Sequence, residues 1–346
     1  MQTTVPSSTS PADERSRLSA PQVFSLIRDD LACVERDLGT LLASELGIVD
    51  AIGRHLLEAG GKRIRPALLL LAARTCVGDA SIALPHAVVR MAAVMEMLHA
   101  ATLVHDDIID DPKSRRGRPR ANVTWGNEIS VLMGDWLYMK AFEVTLDQRN
   151  FDVLDLLTQM TRRMTEGELI QLDVLGSVDI TETQHLEIVR RKTAFMFRAC
   201  TEIGAIVGGA NVEQRAALRE YGLNAGIAFQ LIDDVLDFVS TEDKLGKPVA
   251  NDLREGKLTL PLIHLIEMGD PEHRRLVETV VTEGAFESVT REEILGLVIE
   301  HGTLDRARAQ ARAYAARATD ALSCFQDSEY RQALLSIPNF IVERET

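Results

Sequence analysis

Six aspartates in two sets carry the clearest chemistry in this chain. Asp106, Asp107 and Asp110 stand at i, i+1 and i+4 in HAATLVHDDIIDDPKSRRG, residues 99–117. At about 100° per residue on a helix they project toward nearly one side. Three carboxylates so placed repel one another unless a cation lies between them. Mg²⁺ takes hard oxygen ligands, draws one or two carboxylates from a protein, and completes its shell with water and phosphate oxygens. The pattern therefore points to a divalent metal and a phosphorylated ligand. For a single isolated set the plainer account is a solvated helix end. A second set weighs against it: in AFQLIDDVLDF, Asp233, Asp234 and Asp237 repeat the spacing, and Gln230 lies one turn earlier on the same side.

Both sets interrupt strongly apolar helical stretches, MAAVMEMLHAATLV before the first and YGLNAGIAFQLI before the second. Charges there cost stability unless they are paired or metal-bound. Two such interruptions suggest facing walls of one cavity. Basic residues are spaced around them. His99 precedes Asp106 by two helical turns and shares its side. Lys62, Arg63 and Arg65 follow a Gly60-Gly61 break in GGKRIRP, at the start of an apolar helix whose positive dipole end favours anions. Arg115 and Arg116 sit in the loop after the first set, and arginine presents a fork of donors matched to phosphate oxygens. Lys192 and Thr193 face into the apolar segment VRRKTAFMFRACTEIGAIVGG, where a lysine needs an anion nearby. The longest polar interruption, DKLGKPVANDLREGKLTLPL, reads as a lid able to bring Lys247 and Lys257 over a bound phosphate group.

These residues need helices to hold them. From Pro21 onward apolar positions recur at helical spacing to the C-terminus, with no convincing strand alternation, so the expected class is all-α. Helices are expected near 84–109, 128–146 and 153–174, and residues 270–346 return to amphipathic helices whose apolar faces suit core or subunit interface. The 346 residues contain no low-complexity linker, which suggests one large helical domain over 18–346. Residues 1–17, rich in Ser, Thr and Pro, read as a disordered tail. A net charge of −14 argues against nucleic acid as the main partner. Cys33, Cys76, Cys200 and Cys324 form no CxxC pair, so reduced thiols and a cytoplasmic setting are expected rather than disulfides or zinc. No signal-peptide core or membrane-span run is present, which leaves room only for peripheral membrane contact.

Taken together, GGKRIRP, LVHDDIIDD with RRGRP, GDWLY, KTA, and FQLIDDVLDF with GKPVANDLREGK resemble, in order and spacing, the motifs of the trans-isoprenyl diphosphate synthases, or polyprenyl synthetase family. The resemblance runs from about residue 20 to the C-terminus. It implies a helical bundle around a deep central apolar cavity, with both Asp motifs at its mouth, and usually a homodimer. It also implies that Asp106 and Asp110 with Asp233 bind three Mg²⁺ ions, with Asp107, Asp234 and Asp237 as direct ligands or support. Arg115, Lys192, Lys247 and Lys257 would contact the allylic diphosphate, and Lys62, Arg65, His99 and Arg116 that of isopentenyl diphosphate. Thr193 and Gln230 would direct oxygen dipoles at the developing carbocation. The chemistry agrees: preorganised cations stabilise a departing diphosphate where its charge develops, and an apolar pocket keeps water from the cation. The proton lost after condensation would go to the departed diphosphate.

The residue five before the first motif, Ala101, is small, with Leu98 one turn below; by resemblance this leaves room for a long product of heptaprenyl to solanesyl class, a quinone side-chain precursor, over a farnesyl or geranylgeranyl one. Two features depart from the family pattern: Arg120 stands where relatives commonly have Thr, and the ending IVERET lacks a strongly basic tail. Neither is expected to touch the metal ligands. A class I terpene cyclase shares the first motif but normally carries an Asn/Ser/Glu-type second one, and a regulatory subunit usually loses an Asp motif that this chain keeps.

Overall fold

The computed structural model describes residues 18–344, apart from 59, 80, 110–113, 116–117 and 240–249, and only the backbone of 114, 115, 118 and 119. In chain order the helices are α1 (Ala20–Leu26), α2 (Arg28–Leu42), α3 (Gly47–Glu58), α4 (Ile64–Val77), α5 (His86–Ile109), α6 (Ala121–Trp125), α7 (Asn127–Asp147), α8 (Phe151–Asp173) and α9 (Glu182–Val189). A π turn, Arg190–Ala194, joins α9 to α10 (Phe195–Val207). Then come α11 (Val212–Val239), α12 (Asn251–Arg254), α13 (Leu260–Glu267), α14 (Pro271–Glu283), α15 (Arg291–Glu300), α16 (Thr303–Ala321) and α17 (Glu329–Glu343). The all-α expectation holds. One feature it did not include is a two-residue antiparallel ladder, β1 (Ser114–Arg115) with β2 (Arg118–Pro119).

A helix that is apolar all round must be covered all round. α4 is buried without a break from Pro66 to Thr75, and α5 from Val88 to Leu98 except at Arg90. Beyond Leu98, α5 emerges: His99, Thr102, Leu103, His105 and Asp106 are only half-buried. The acidic set therefore sits where the core helix opens. Contrary to the expectation that no run reaches the length of a membrane span, α5 is one described helix long and apolar enough to cross a membrane, though 61% of that stretch is buried inside the bundle. α4 packs between α5 and α10, α5 also packs on α7, and α10 packs on α11.

The second acidic helix, α11, is held between α10 and α16, where Ala307, Ala311, Ala315 and Ala318 form a buried row of small side chains. On the opposite side a Cβ at Gly226 would lie 2.6 Å from Ala194 Cα. Only glycine permits that approach, which brings the following turn of α11, with Gln230, against the π turn. The C-terminal helices thus serve the core. None of the four cysteines is paired.

Candidate active site

The two acidic helices meet across open space. Asp106 of α5 and Asp233 of α11 line one cavity of about 360 Å³, together with Arg65, His99, Lys192, Thr193 and Gln230. A neighbouring cavity of about 550 Å³ shares Arg65, His99 and Asp233 and adds Lys62, Asp107, Arg120 and Arg344. The expected facing walls are therefore present, and Lys62, Arg65 and His99 converge as anticipated. Arg63 lines the larger cavity with them, but its guanidinium is committed to carboxylates. Its backbone is left-handed (φ 48°), and its side chain turns to Glu35 and to Glu96, 2.7 Å away, tying α4 to α2 and α5. Asp110, Arg115, Arg116 and Lys247 lie outside the residues whose side chains are described.

The second aspartate set divides by burial. Asp233 is half-buried and faces the cavities, whereas Asp234 and Asp237 are 3% and 1% exposed. Asp234 accepts Gln230 Nε2 at 3.0 Å and meets His185 Nε2 at 3.0 Å. Asp237 accepts the backbone N–H of Asp252 at 3.1 Å, and its carbonyl accepts that of Ala250 at 2.6 Å, so it anchors the chain where it returns from residues 240–249. The outward carboxylates, Asp106 and Asp233, offer hard oxygen donors from opposite walls, a donor set that fits Mg²⁺.

Both departures from the family pattern reach these carboxylates, contrary to expectation. Arg120 Nη1 forms an ion pair with Asp107 Oδ1, with both side chains largely buried. Arg344, just after α17, brings Nη1 to 3.0 Å from Asp233 Oδ1 and lies 5.1 Å over the Phe229 ring. Each arginine supplies charge where carboxylates crowd, which lowers their mutual repulsion.

A polyprenyl synthetase family model matches residues 47–296. The chain belongs to that family. It is 38% identical over 93% of its length to the geranyl-diphosphate-specific all-trans-nonaprenyl-diphosphate synthase of Rhodobacter capsulatus, covering 97% of it. With the octaprenyl diphosphate synthase of Escherichia coli K12 it shares 34% identity over 95% of this chain and all of the relative. The crystal structure of a Caulobacter crescentus CB15 polyprenyl synthase, complexed with calcium and isoprenyl diphosphate, superposes with a TM-score of 0.88 at 36% identity, covering 95% of this chain and 98% of that one.

In this member of the family the π turn carries Lys192 and Thr193. Lys192 pairs with Glu168 Oε2 at 2.6 Å and donates to Gln171 Oε1 at 3.3 Å, so the anion expected beside it is a carboxylate of α8. Thr193 Oγ1 donates to Gln230 Oε1 at 2.8 Å. Lys257 pairs with Glu255 at 2.9 Å and opens on a third, smaller cavity behind Thr193 and Gln230, which His185 and Asp252 also line. Sequence reasoning passed over Glu168, Gln171, His185 and Asp252 because each meets the site only through long-range packing. Leu98 and Ala101 are fully buried and line none of these cavities; α5 presents Thr102 and Leu103 instead. Tyr138 of α7 lines the wall near Asp106, and burial, then the charges of Asp106 and Asp135, push its hydroxyl up to about 12, so it stays protonated.

Proposed function

We propose that this chain condenses isopentenyl diphosphate head to tail with an allylic diphosphate and that its product is long, of heptaprenyl to solanesyl class. The observation that carries the reading is the pair Asp106 and Asp233 facing one cavity with Arg65, His99, Lys192, Thr193 and Gln230. Lys62, Arg65 and His99, in the adjoining cavity, suit the diphosphate of the alkene substrate, joined by Arg116. Lys192 and Lys257, with Arg115 and Lys247, suit that of the allylic one. With its proton committed to Gln230, the Thr193 oxygen offers lone pairs to the cavity it lines, where an allylic cation would develop.

Three Mg²⁺ ions held by Asp106, Asp110 and Asp233 would neutralise the diphosphate as its C–O bond breaks. The complex of the Caulobacter relative with calcium and isoprenyl diphosphate supports that pairing of cation and ligand. A homodimer fits α7, whose inner face packs on α5 while Leu132, Met139 and Leu146, spaced as a heptad seam, stay exposed. One domain over 18–346 fits the packing of α1 on α17 and α2 on α5 beyond the family match, and a cytoplasmic setting fits four unpaired thiols.

Incubation with isopentenyl diphosphate, Mg²⁺ and, in parallel, dimethylallyl, geranyl and farnesyl diphosphates tests the reading by mass analysis. Elongation to about seven to nine isoprene units is expected. Release of a hydrocarbon with free diphosphate would favour a terpene cyclase, and no elongation would overturn the proposal. A farnesyl or geranylgeranyl product is the second reading, favoured by the burial of Leu98 and Ala101 away from the cavities; the same assay decides it.

A further inference from the structure

His185 lies on α9, eight residues before Thr193, and is 6% exposed. In an unbroken α-helix, eight residues turn through about 800°, leaving the two side chains about 80° apart. The π turn at Arg190–Ala194 adds a residue, so the effective separation becomes about two full turns and the two side chains share a face. That face meets α11. There Gln230 and Asp234, one turn apart, complete an unbroken chain: His185 Nε2 to Asp234 Oδ2 at 3.0 Å, Gln230 Nε2 to Asp234 Oδ1 at 3.0 Å, and Thr193 Oγ1 to Gln230 Oε1 at 2.8 Å.

The direction of every bond follows from one end. An ionised carboxylate only accepts, so Asp234 must receive the NH₂ of Gln230, and the Gln230 oxygen is then the atom turned to Thr193. Thr193 must donate to it. Were the amide reversed, an N–H would point at the hydroxyl and the Thr193 proton would swing toward the cavity, where positive charge is to develop. Asp234 keeps this hold only while its other oxygen is fixed, and His185 fixes it.

We propose that His185 is a positioning residue for prenyl transfer: through Asp234 it locks the Gln230 amide so that Thr193 presents oxygen, not hydrogen, to the reacting carbon. The proposal rests on the function given above and adds a residue to it. A buried chain of this kind strengthens along its length, and breaking one link leaves a charged group underbonded.

The test is steady-state kinetics on the full-length enzyme. In His185→Phe, kcat should fall about 10- to 100-fold, the size of one lost hydrogen bond to a charged group, while KM for both diphosphates stays within about twofold. His185→Gln, which returns an N–H donor, should recover most of the rate. Asp234→Asn, which can donate to Gln230 and release the amide, should lower kcat similarly, and the double variant should be no slower than the worse single one. A native kcat in either His185→Phe or Asp234→Asn, a rise in KM without loss of kcat, failure of His185→Gln to rescue, or additive losses in the double variant would each overturn it. Should His185→Phe not fold, Asp234→Asn and His185→Gln carry the same comparison. Absence of prenyl transfer in the unmodified enzyme would instead sink the function itself.

Discussion

With Asp233 a metal ligand, as proposed, Arg344 and a divalent cation would compete for one carboxylate. The Arg344 guanidinium lies 3.0 Å from Asp233, with the two side chains 25% and 33% exposed. An ion pair this accessible contributes about 0.2–1 kcal/mol. A metal that binds Asp233 must first displace the guanidinium, so the pair weakens metal binding by about that amount. Removing it should tighten Mg²⁺ binding by about 1.4- to 5-fold, since 1.4 kcal/mol is about a factor of ten. The same guanidinium lines the larger cavity with Lys62, Arg65 and His99, so its loss should raise KM for isopentenyl diphosphate. The two constants therefore move in opposite senses. Calorimetric titration of Mg²⁺ into substrate-free Arg344→Ala enzyme gives the first, and initial rates give the second. Arg344→Lys should fall between, because lysine keeps the charge but not the planar fork. Metal affinity that is unchanged or weaker in Arg344→Ala would refute the competition, and a uniform loss in both constants would indicate disruption of the mouth instead.

Asp106→Asn or Asp233→Asn should lower kcat more than about 100-fold, because Lewis-acid stabilisation of a leaving diphosphate is worth several kcal/mol; near-native turnover in the product assay would show that these carboxylates hold no essential metal. Chelation with EDTA should stop prenyl transfer and added Mg²⁺ restore it, and transfer that persists would remove the metal from the reaction. Ala101 lines none of the cavities, so Ala101→Phe should overpack α5 by about 1–3 kcal/mol in urea unfolding and leave product length unchanged; a shorter product on mass analysis would return this position to the chain-length argument. Glu202 of α10 is buried among Arg198, Arg215 and Arg219; burial by itself raises its carboxyl, but the hydrogen bond from Arg219 and the charges of Arg198 and Arg219 hold it net below the usual 4.5. A lowered folded-state pKa means the contact stabilises fully above the unfolded value and is lost as pH falls through the folded one. Glu202→Gln should cost about 1–3 kcal/mol at neutral pH, since the arginines it leaves are partly exposed, and flatten the acid limb of urea midpoint against pH; an unchanged limb would contradict the assignment.

How much of the site was legible depended on how local its signals were. The spacing of Asp106 and Asp107, or of Asp233 and Asp234, announces an acidic patch on a helix. Yet adjacent residues stand about 100° apart on the helical wheel, enough for Asp233 to face the two cavities at the mouth while Asp234 faces His185 and the smaller cavity behind. Periodicity finds the patch and cannot say which carboxylate looks outward. The apolar runs of α4 and α5 likewise announced burial, whereas the side of α5 open to the cavity, Thr102 and Leu103 rather than Ala101, depends on where α7 and α11 press. Lys192 shows the same limit: its need for an anion was readable, and that Glu168 of α8 supplies it was not.

The contacts least visible in the sequence are the ones that decide the charge of the mouth. Asp107 is matched by Arg120, and Asp233 by Arg344 from the far end of the chain. Carboxylates gathered for a metal destabilise the fold whenever the metal is absent, in proportion to their burial. The two partners answer that differently. Arg120 holds a carboxylate with little exposure and can stay, because Asp107 then serves as a fixed neighbour of Asp106. Arg344 holds a half-exposed one through an accessible pair and can leave at small cost. The charges of this mouth are thus balanced by one permanent and one displaceable arginine, and the displaceable one sits on the carboxylate that faces both cavities.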